Sequence, residues 1–180
     1  MLEEHIDIFN LPFDTDVDAI CITTNKFIKS NGRAVMGRGI AKKYNDLSYG
    51  MADSILGNII KNEPKHGLGI MGMIGKVYVV AFPVKPDTVI CYPDKSNIVE
   101  HAKNKFNEGD AVPGFFAKAQ LHLIFESLVR LRELIHMKNW NKVLLPYPGC
   151  GAGELSWEMD VKPYITNMEF EDNRIIFVTL

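Results

Sequence analysis

Two stretches of this 180-residue chain place glycines where strands and helices do not want them. The first runs from Asp18 to Tyr44, DAICITTNKFIKSNGRAVMGRGIAKKY, with Gly32, Gly37 and Gly39 between Asn31 and Gly39. The second is Leu144 to Trp157, LLPYPGCGAGELSW, where Gly149, Gly151 and Gly153 alternate. Such spacing lets the backbone come close to an anion, and the first amides of a following helix point at it. Arg33 and Arg38 add positive charge to the first loop. The chemistry offered is phosphate binding through main-chain nitrogens. A ligand-free αβ turn is the alternative for either loop alone. Two such loops suggest a ligand with two phosphates, or a phosphate and a sugar, clamped between them. Neither ends in the glycine-lysine-serine/threonine of a nucleotide-triphosphate loop, and GRAVMGRG lacks the dinucleotide-fingerprint spacing.

The flanking elements must position these loops. Asp18 to Thr23 is apolar and β-prone and ends on a polar tip, Thr24-Asn25, and a helix can start at Ile40. Lys142 to Leu145 reads as a short buried strand ended by Pro146 and Pro148, and Leu155 to Tyr164 as a short helix. Each loop therefore joins a strand end to a helix start, where ligands sit in open α/β sheets. Further strands are expected at His5 to Phe9, Leu68 to Ile74, Lys76 to Phe82, Thr88 to Tyr92 and Asp172 to Leu180. Asp46 to Lys61 has a helical apolar period interrupted by Gly50 and Gly57. Lys95 to Phe106 has a weak one, and Phe115 to Met137 should be the longest helix.

Composition sets the limits. Apolar content of 47% and charged content of 23% are those of an ordinary globule of one domain. The net charge of −2 gives no basic footprint for unmodified nucleic acid. No apolar run reaches the roughly 18 residues of a membrane span, and MLEEHID is no signal peptide. Cys21, Cys91 and Cys150 are odd in number and far apart, as reduced thiols of a cytoplasmic protein are. His122 and His136 are too distant for an i, i+4 metal pair, and no metal is expected; the expectation is also of no cofactor and of a monomer.

The pair AICITTN…GRAVMGRGIA and LLPYPGCGAGELSW resembles the macrodomain family, modules that bind ADP-ribose. VMGRGIA and GCGAGELSW are most similar to its branch of terminal ADP-ribose glycohydrolase, antitoxins that remove ADP-ribose from DNA, and ADP-ribose-1″-phosphate phosphatases. The resemblance runs from about His5 to Leu180, but residues 45 to 140 match only in outline. It implies a three-layer α/β/α sandwich with a mixed sheet of about six strands, one macrodomain over 1–180 with an insertion around 86–114. The ligand implied is ADP-ribose, with its diphosphate on the amides near Gly37 to Ile40 and Gly149 to Glu154.

Site residues follow from the same resemblance. Asp7, beside Ile8, is the candidate acceptor for the adenine amine, with a plain surface Asp as the alternative. Asn25, after Thr24, falls on the asparagine that holds the distal ribose, an amide able to donate to and accept from vicinal hydroxyls. Ile22 stands where the family often has another asparagine. Gly32, Val35, Met36, Gly37, Arg38, Gly39 and Ile40 would form one wall. Pro146, Gly149, Cys150, Gly151, Ala152, Gly153, Glu154 and Leu155 would form the other. The run FPVK resembles the family's phenylalanine-proline-threonine-lysine turn and puts Lys85 on the lysine that attacks the anomeric carbon in the terminal glycohydrolase branch. That chemistry needs an amine of lowered pKa, which burial and a cation such as Arg38 would provide. A solvated lysine after a strand is the alternative. The assisting acid of the terminal glycohydrolase falls on Gly153, with Glu154 one residue on, and the DNA-directed antitoxins have glycine there too.

An insertion beside Lys85 would shape what is joined to the ADP-ribose, and Tyr92, His101 and Phe106 are its candidates for touching a substrate, with ordinary packing or a surface place as the alternative for each. The function implied is hydrolysis of ADP-ribose from modified DNA or protein, with Lys85 and Asn25 catalytic. The rivals are an ADP-ribose-1″-phosphate phosphatase and a reader of ADP-ribose that does no chemistry. The partner in each case is ADP-ribose or an ADP-ribosylated macromolecule.

Overall fold

Strands whose successive side chains are apolar on both faces need cover on both faces. In the computed structural model, which describes residues 1–12 and 14–179, β2 (Ala19–Asn25) is such a strand. Ala19 and Cys21 face one core, and Ile20 and Ile22 the other. β4 (Val77–Lys85) and β7 (Val143–Pro146) flank it in parallel. β8 (Ile175–Thr179) and β1 (Leu2–His5) extend the sheet beyond β7. β3 (Gly69–Ile74) pairs antiparallel with β4 at the other edge. The order β1-β8-β7-β2-β4-β3 makes a mixed six-stranded sheet. On one face α1 (Gly39–Leu47) and α2 (Ala52–Asn62) pack Ala41, Tyr44, Leu56 and Ile60 over Ile22, Val79 and Leu144. On the other, α3 (Leu121–Lys138) and α4 (Lys162–Asn167) pack Leu128, Leu131, Ile135 and Ile165 over Cys21, Val80 and Leu145. These are the three α/β/α layers expected.

Several boundaries differ from the sequence reading, each for a physical reason. The first strand is Leu2–His5 rather than His5 to Phe9, paired from Leu2↔Ile176 to His5↔Thr179. All four residues are exposed, so backbone pairing holds this edge and not an apolar pattern. The helix expected over Asp46 to Lys61 is two, because Tyr49 and Gly50 adopt φ of +54° and +74°. Gly57 stays inside α2, where a Cβ would overlap the Gly32 carbonyl oxygen. α3 begins only at Leu121, not at Phe115. Upstream, Ala119 N–H donates to Gly153 O at 3.0 Å and Gln120 N–H to Val84 O at 2.9 Å, which holds the chain extended. β4 runs past Phe82 to Lys85 because Lys85 pairs with Asn25 across a register shift. After Ser156 a π-helical turn over Trp157–Val161 leads into α4.

Residues 86–114 build a subassembly of their own. β5 (Thr88–Ile90) pairs antiparallel with β6 (Ala111–Pro113), and a 3-10 helix spans Glu100–Lys105. The weak helical pattern from Lys95 is realised only there. Cys91, Ile98, Val99, Ala102 and Val112 form its small core, with Phe106 and Phe116 against it. The three cysteines are free thiols. No helix among the described residues is long and apolar enough to cross a membrane.

Candidate functional site

β2, β4 and β7 run parallel, so their carboxyl ends meet at one edge of the sheet. A cavity of about 630 Å³ opens there, within the usual size of a small-molecule site. Both glycine loops line it: Val35, Gly37, Arg38, Gly39 and Ile40 from the first, and Pro146, Gly149, Gly151, Ala152 and Gly153 from the second. Thr24, Asn25 and Lys85 lie between them.

The first loop is fixed at its neck by Asn25. Its Nδ2 donates to Val35 O at 2.8 Å and its Oδ1 accepts from Phe27 N–H at 3.0 Å. One Nδ2 proton remains for a ligand. α1 starts at Gly39, whose φ of +55° favours glycine. The Arg38 side chain at the N-cap makes no capping hydrogen bond to the helix, and the first turn carries no acid. The opening amides and the positive end of the helix dipole are thus uncompensated at the cavity wall. Thr24 Oγ1 is buried with no hydrogen-bond partner among the described residues.

The second loop closes on itself. Leu155 N–H donates to Gly149 O and Glu154 N–H to Gly151 O, both at 3.0 Å. At Gly153 a Cβ would overlap the Gly149 carbonyl oxygen and lie 2.6 Å from the Ala119 Cβ. No acidic side chain fits at that position in this loop. Tyr147, held between Pro146 and Pro148, stacks on Trp157 with ring centroids 4.2 Å apart and planes 7° from parallel. Its hydroxyl donates to Glu3 Oε2 at 2.8 Å. Burial and that carboxylate push its pKa up to about 12.

Lys85 is 5% exposed. Its ammonium donates to Ala152 O at 2.6 Å and Phe115 O at 3.4 Å, both neutral carbonyls. Burial brings its pKa down to about 8; Arg38 pushes the same way and Glu154 opposes. About a tenth is then free amine at pH 7, a side chain able to act as nucleophile or base.

Other candidates lie off the cavity. Asp7 caps the Phe9 N–H at 3.0 Å and pairs with Lys43 at 3.5 Å. Ile8 and Met36 are buried in the core beneath α1 and α2, and Gly32 lies against α2. Cys150 and Leu155 pack on the opposite core. Glu154, at φ +58°, stands at the rim, where its carboxylate oxygens accept the Glu100 N–H at 2.9 and 3.1 Å. Among the candidates in 86–114, His101 lines the cavity, Tyr92 is exposed, and Phe106 packs on Phe116 at 5.6 Å.

Sequence reasoning missed Tyr147, Lys105, Phe115 and Phe116 as lining. The two phenylalanines fall at the start of the stretch read as the longest helix, and Lys105 carries no signal. With them the charge of the cavity becomes clear: Arg38, Lys85 and Lys105 line it beside His101, and no Asp or Glu does among the described residues. In a chain of net charge −2 this is a local positive field, suited to an anion.

No protein-family model matches the chain, and a search of curated proteins finds no match. Solved structures do match. The macrodomain of Mycobacterium tuberculosis DarG is 19% identical with a TM-score of 0.60, over 99% of this chain and 98% of that one. The macrodomain of Thermus aquaticus DarG is 17% identical with a TM-score of 0.61, over 99% and 97%. Thermosipho africanus DarTG, solved in complex with ADP-ribose, is 15% identical with a TM-score of 0.58, over 93% of this chain and 39% of that one.

Proposed function

Starting from a chain that has the macrodomain fold, we propose that it binds ADP-ribose between its two glycine loops and hydrolyses it from a modified macromolecule. The observation that carries this reading is Lys85, a buried amine in an acid-free cavity with its pKa down to about 8. The ADP-ribose bound by the structurally similar DarTG supports the ligand. The diphosphate sits on the free amides at the start of α1 and in the second loop. The remaining Asn25 proton reaches a distal ribose hydroxyl.

The free Lys85 amine bonds to the anomeric carbon of the distal ribose as the bond from that carbon to the target breaks. The bonding electrons leave with the target's heteroatom, which takes up a proton. Water then replaces the amine at the same carbon, giving free ADP-ribose and regenerating Lys85. The net reaction consumes one water and needs no oxidant.

The test is release of ADP-ribose from ADP-ribosylated DNA and protein. Lys85→Ala should lower turnover about a thousandfold while ADP-ribose still binds by calorimetry. Because the free base reacts, kcat/KM should rise about tenfold per pH unit and level off near the Lys85 pKa, about 8. Turnover indifferent to Lys85→Ala removes the mechanism. Phosphate release from ADP-ribose-1″-phosphate that survives the substitution points to the phosphatase. Binding without any product points to the reader.

A further inference from the structure

We infer that Glu100 and His101 form a strap across the mouth of the cavity, and that Glu154 is the positioning residue that anchors it. This rests on the ADP-ribose reading above and concerns how that site admits a ligand, not which ligand it takes. Two contacts trace the strap. Glu154, at the end of the second glycine loop, accepts the Glu100 N–H through both carboxylate oxygens, at 2.9 and 3.1 Å. The next residue, His101, meets the first loop, where Arg38 Nη1 lies 3.1 Å from its Nδ1 and 2.9 Å from its Nε2. Two consecutive residues of the 86–114 segment thus join one glycine loop to the other. The strand ends that carry Asn25 and Lys85 are the floor between those loops, so the link is a roof. Glu100 and His101 are both exposed, and His101 also lines the cavity, as a roof between solvent and ligand must.

The two ends of the strap are built unequally. The Arg38 end sets a guanidinium against an imidazole, with no negative charge in the contact. The Glu154 end is a charge-assisted bond to a backbone donor. That donor opens the 3-10 helix Glu100–Lys105, whose N-cap residue, Val99, supplies no side-chain cap. Glu154 therefore caps it from a distant segment, with a negative charge at the helix start. Lys118 Nζ, 3.9 Å from Glu154 Oε2, ties the same carboxylate to the returning chain. The strap lets go at Arg38 and stays fixed at Glu154. The backbone of Glu154 carries the same message. Its φ of +58° lies where a side chain is strained, in a loop that already places glycine at 149, 151 and 153. Glycine at 154 would relieve that strain and lose the carboxylate. A strained residue held in place beside a site is a mark of use.

Two variants test the anchor. Glu154→Gly removes the carboxylate at a backbone conformation that suits glycine, and Glu154→Gln keeps an acceptor oxygen without the charge. Amide hydrogen exchange is read in the ligand-free protein, and ADP-ribose association and dissociation by stopped flow. In Glu154→Gly, exchange over 100–105 should quicken about tenfold while the urea midpoint stays at the parent's. Both ADP-ribose rate constants should rise about fivefold, since a loose roof speeds passage in each direction. Glu154→Gln should fall between the two proteins, a neutral acceptor being the weaker one. Exchange over 100–105 that stays slow in Glu154→Gly overturns the anchor. Faster exchange with both rate constants unchanged overturns the strap as a gate. Faster dissociation alone would make Glu154 a ligand contact, and a fallen midpoint with faster exchange along the whole chain would make it a packing residue; either result overturns the inference. If the parent protein does not bind ADP-ribose, the ligand reading is what fails, and exchange over 100–105 alone decides the strap.

Discussion

The two glycine loops border one cavity but are built in opposite ways. The first is pinned from outside. Arg33 reaches Asp53 at 2.6 Å and Gly50 O at 2.5 Å, Ala34 N–H donates to Asp53 O at 2.9 Å, and Asn25 holds Val35 O. Its Gly37 and Gly39 have open space where a Cβ would stand, and the close backbone approach falls to Gly57 in α2. The second loop takes outside bonds at Gly153 O from Ala119 N–H and at Ala152 O from Lys85, but its turn closes on its own backbone. Gly149 takes φ +81°, its carbonyl accepts from Leu155 N–H, and Gly153 packs on Gly149 and Ala119. Similar glycine spacing thus meets two surroundings: open space at Gly37, Gly39 and Gly151, and the loop's own backbone at Gly153.

The difference predicts opposite costs for the same substitution. Of Gly37 and Gly153, Gly153→Ala should be the damaging one, because neither the Gly149 carbonyl nor the Ala119 Cβ, which is fixed to its backbone, can move away cheaply. About 3 kcal/mol of stability should be lost, read as a lower urea midpoint. A midpoint close to the parent's would mean the second loop is not closed on its own atoms.

Arg33→Ala tests the other half. Asp53 is 8% exposed, and the guanidinium meets both of its oxygens. Losing it strands a buried carboxylate and frees the loop from α2, for about 1–2 kcal/mol. Amide hydrogen exchange should quicken over 29–36 and stay unchanged over 149–155. Equal quickening in both loops would erase the distinction.

What the sequence disclosed follows the same division. β2, β4 and β7 were legible because strands buried on both faces are apolar throughout. β1 was misplaced because an exposed edge strand carries no such mark, and its Glu3 shows its use only where it meets Tyr147 and Trp157 at 2.8 and 3.2 Å. The glycine loops were legible because glycine spacing is local. That Gly153 is sterically forced was not, since the atom it abuts, Ala119 Cβ, belongs to an extended run that had been read as helix. Lys85 was visible only through the likeness of FPVK to a family turn; its burial depends on Phe115 and Ala152, which the fold brings in from two distant segments. His101, Lys105 and Phe116 converge through a small core that no periodicity announces.

The smallest expected change in stability sharpens the comparison most. Gly37 has no atom within 4 Å of where its Cβ would lie, and its φ is not in the left-handed region. Gly37→Ala should therefore leave the urea midpoint within about 0.5 kcal/mol of the parent, with a slight gain from a less flexible unfolded chain. If the space beside Gly37 exists for a ligand, the added methyl stands where a phosphate approaches the opening amides of α1. ADP-ribose affinity should then fall about tenfold with the fold intact, the reverse of the pattern at Gly153. A variant that kept both its midpoint and its ADP-ribose affinity would show that the open glycines of the first loop do not mark the anion's path, and the contrast between the loops would reduce to packing alone.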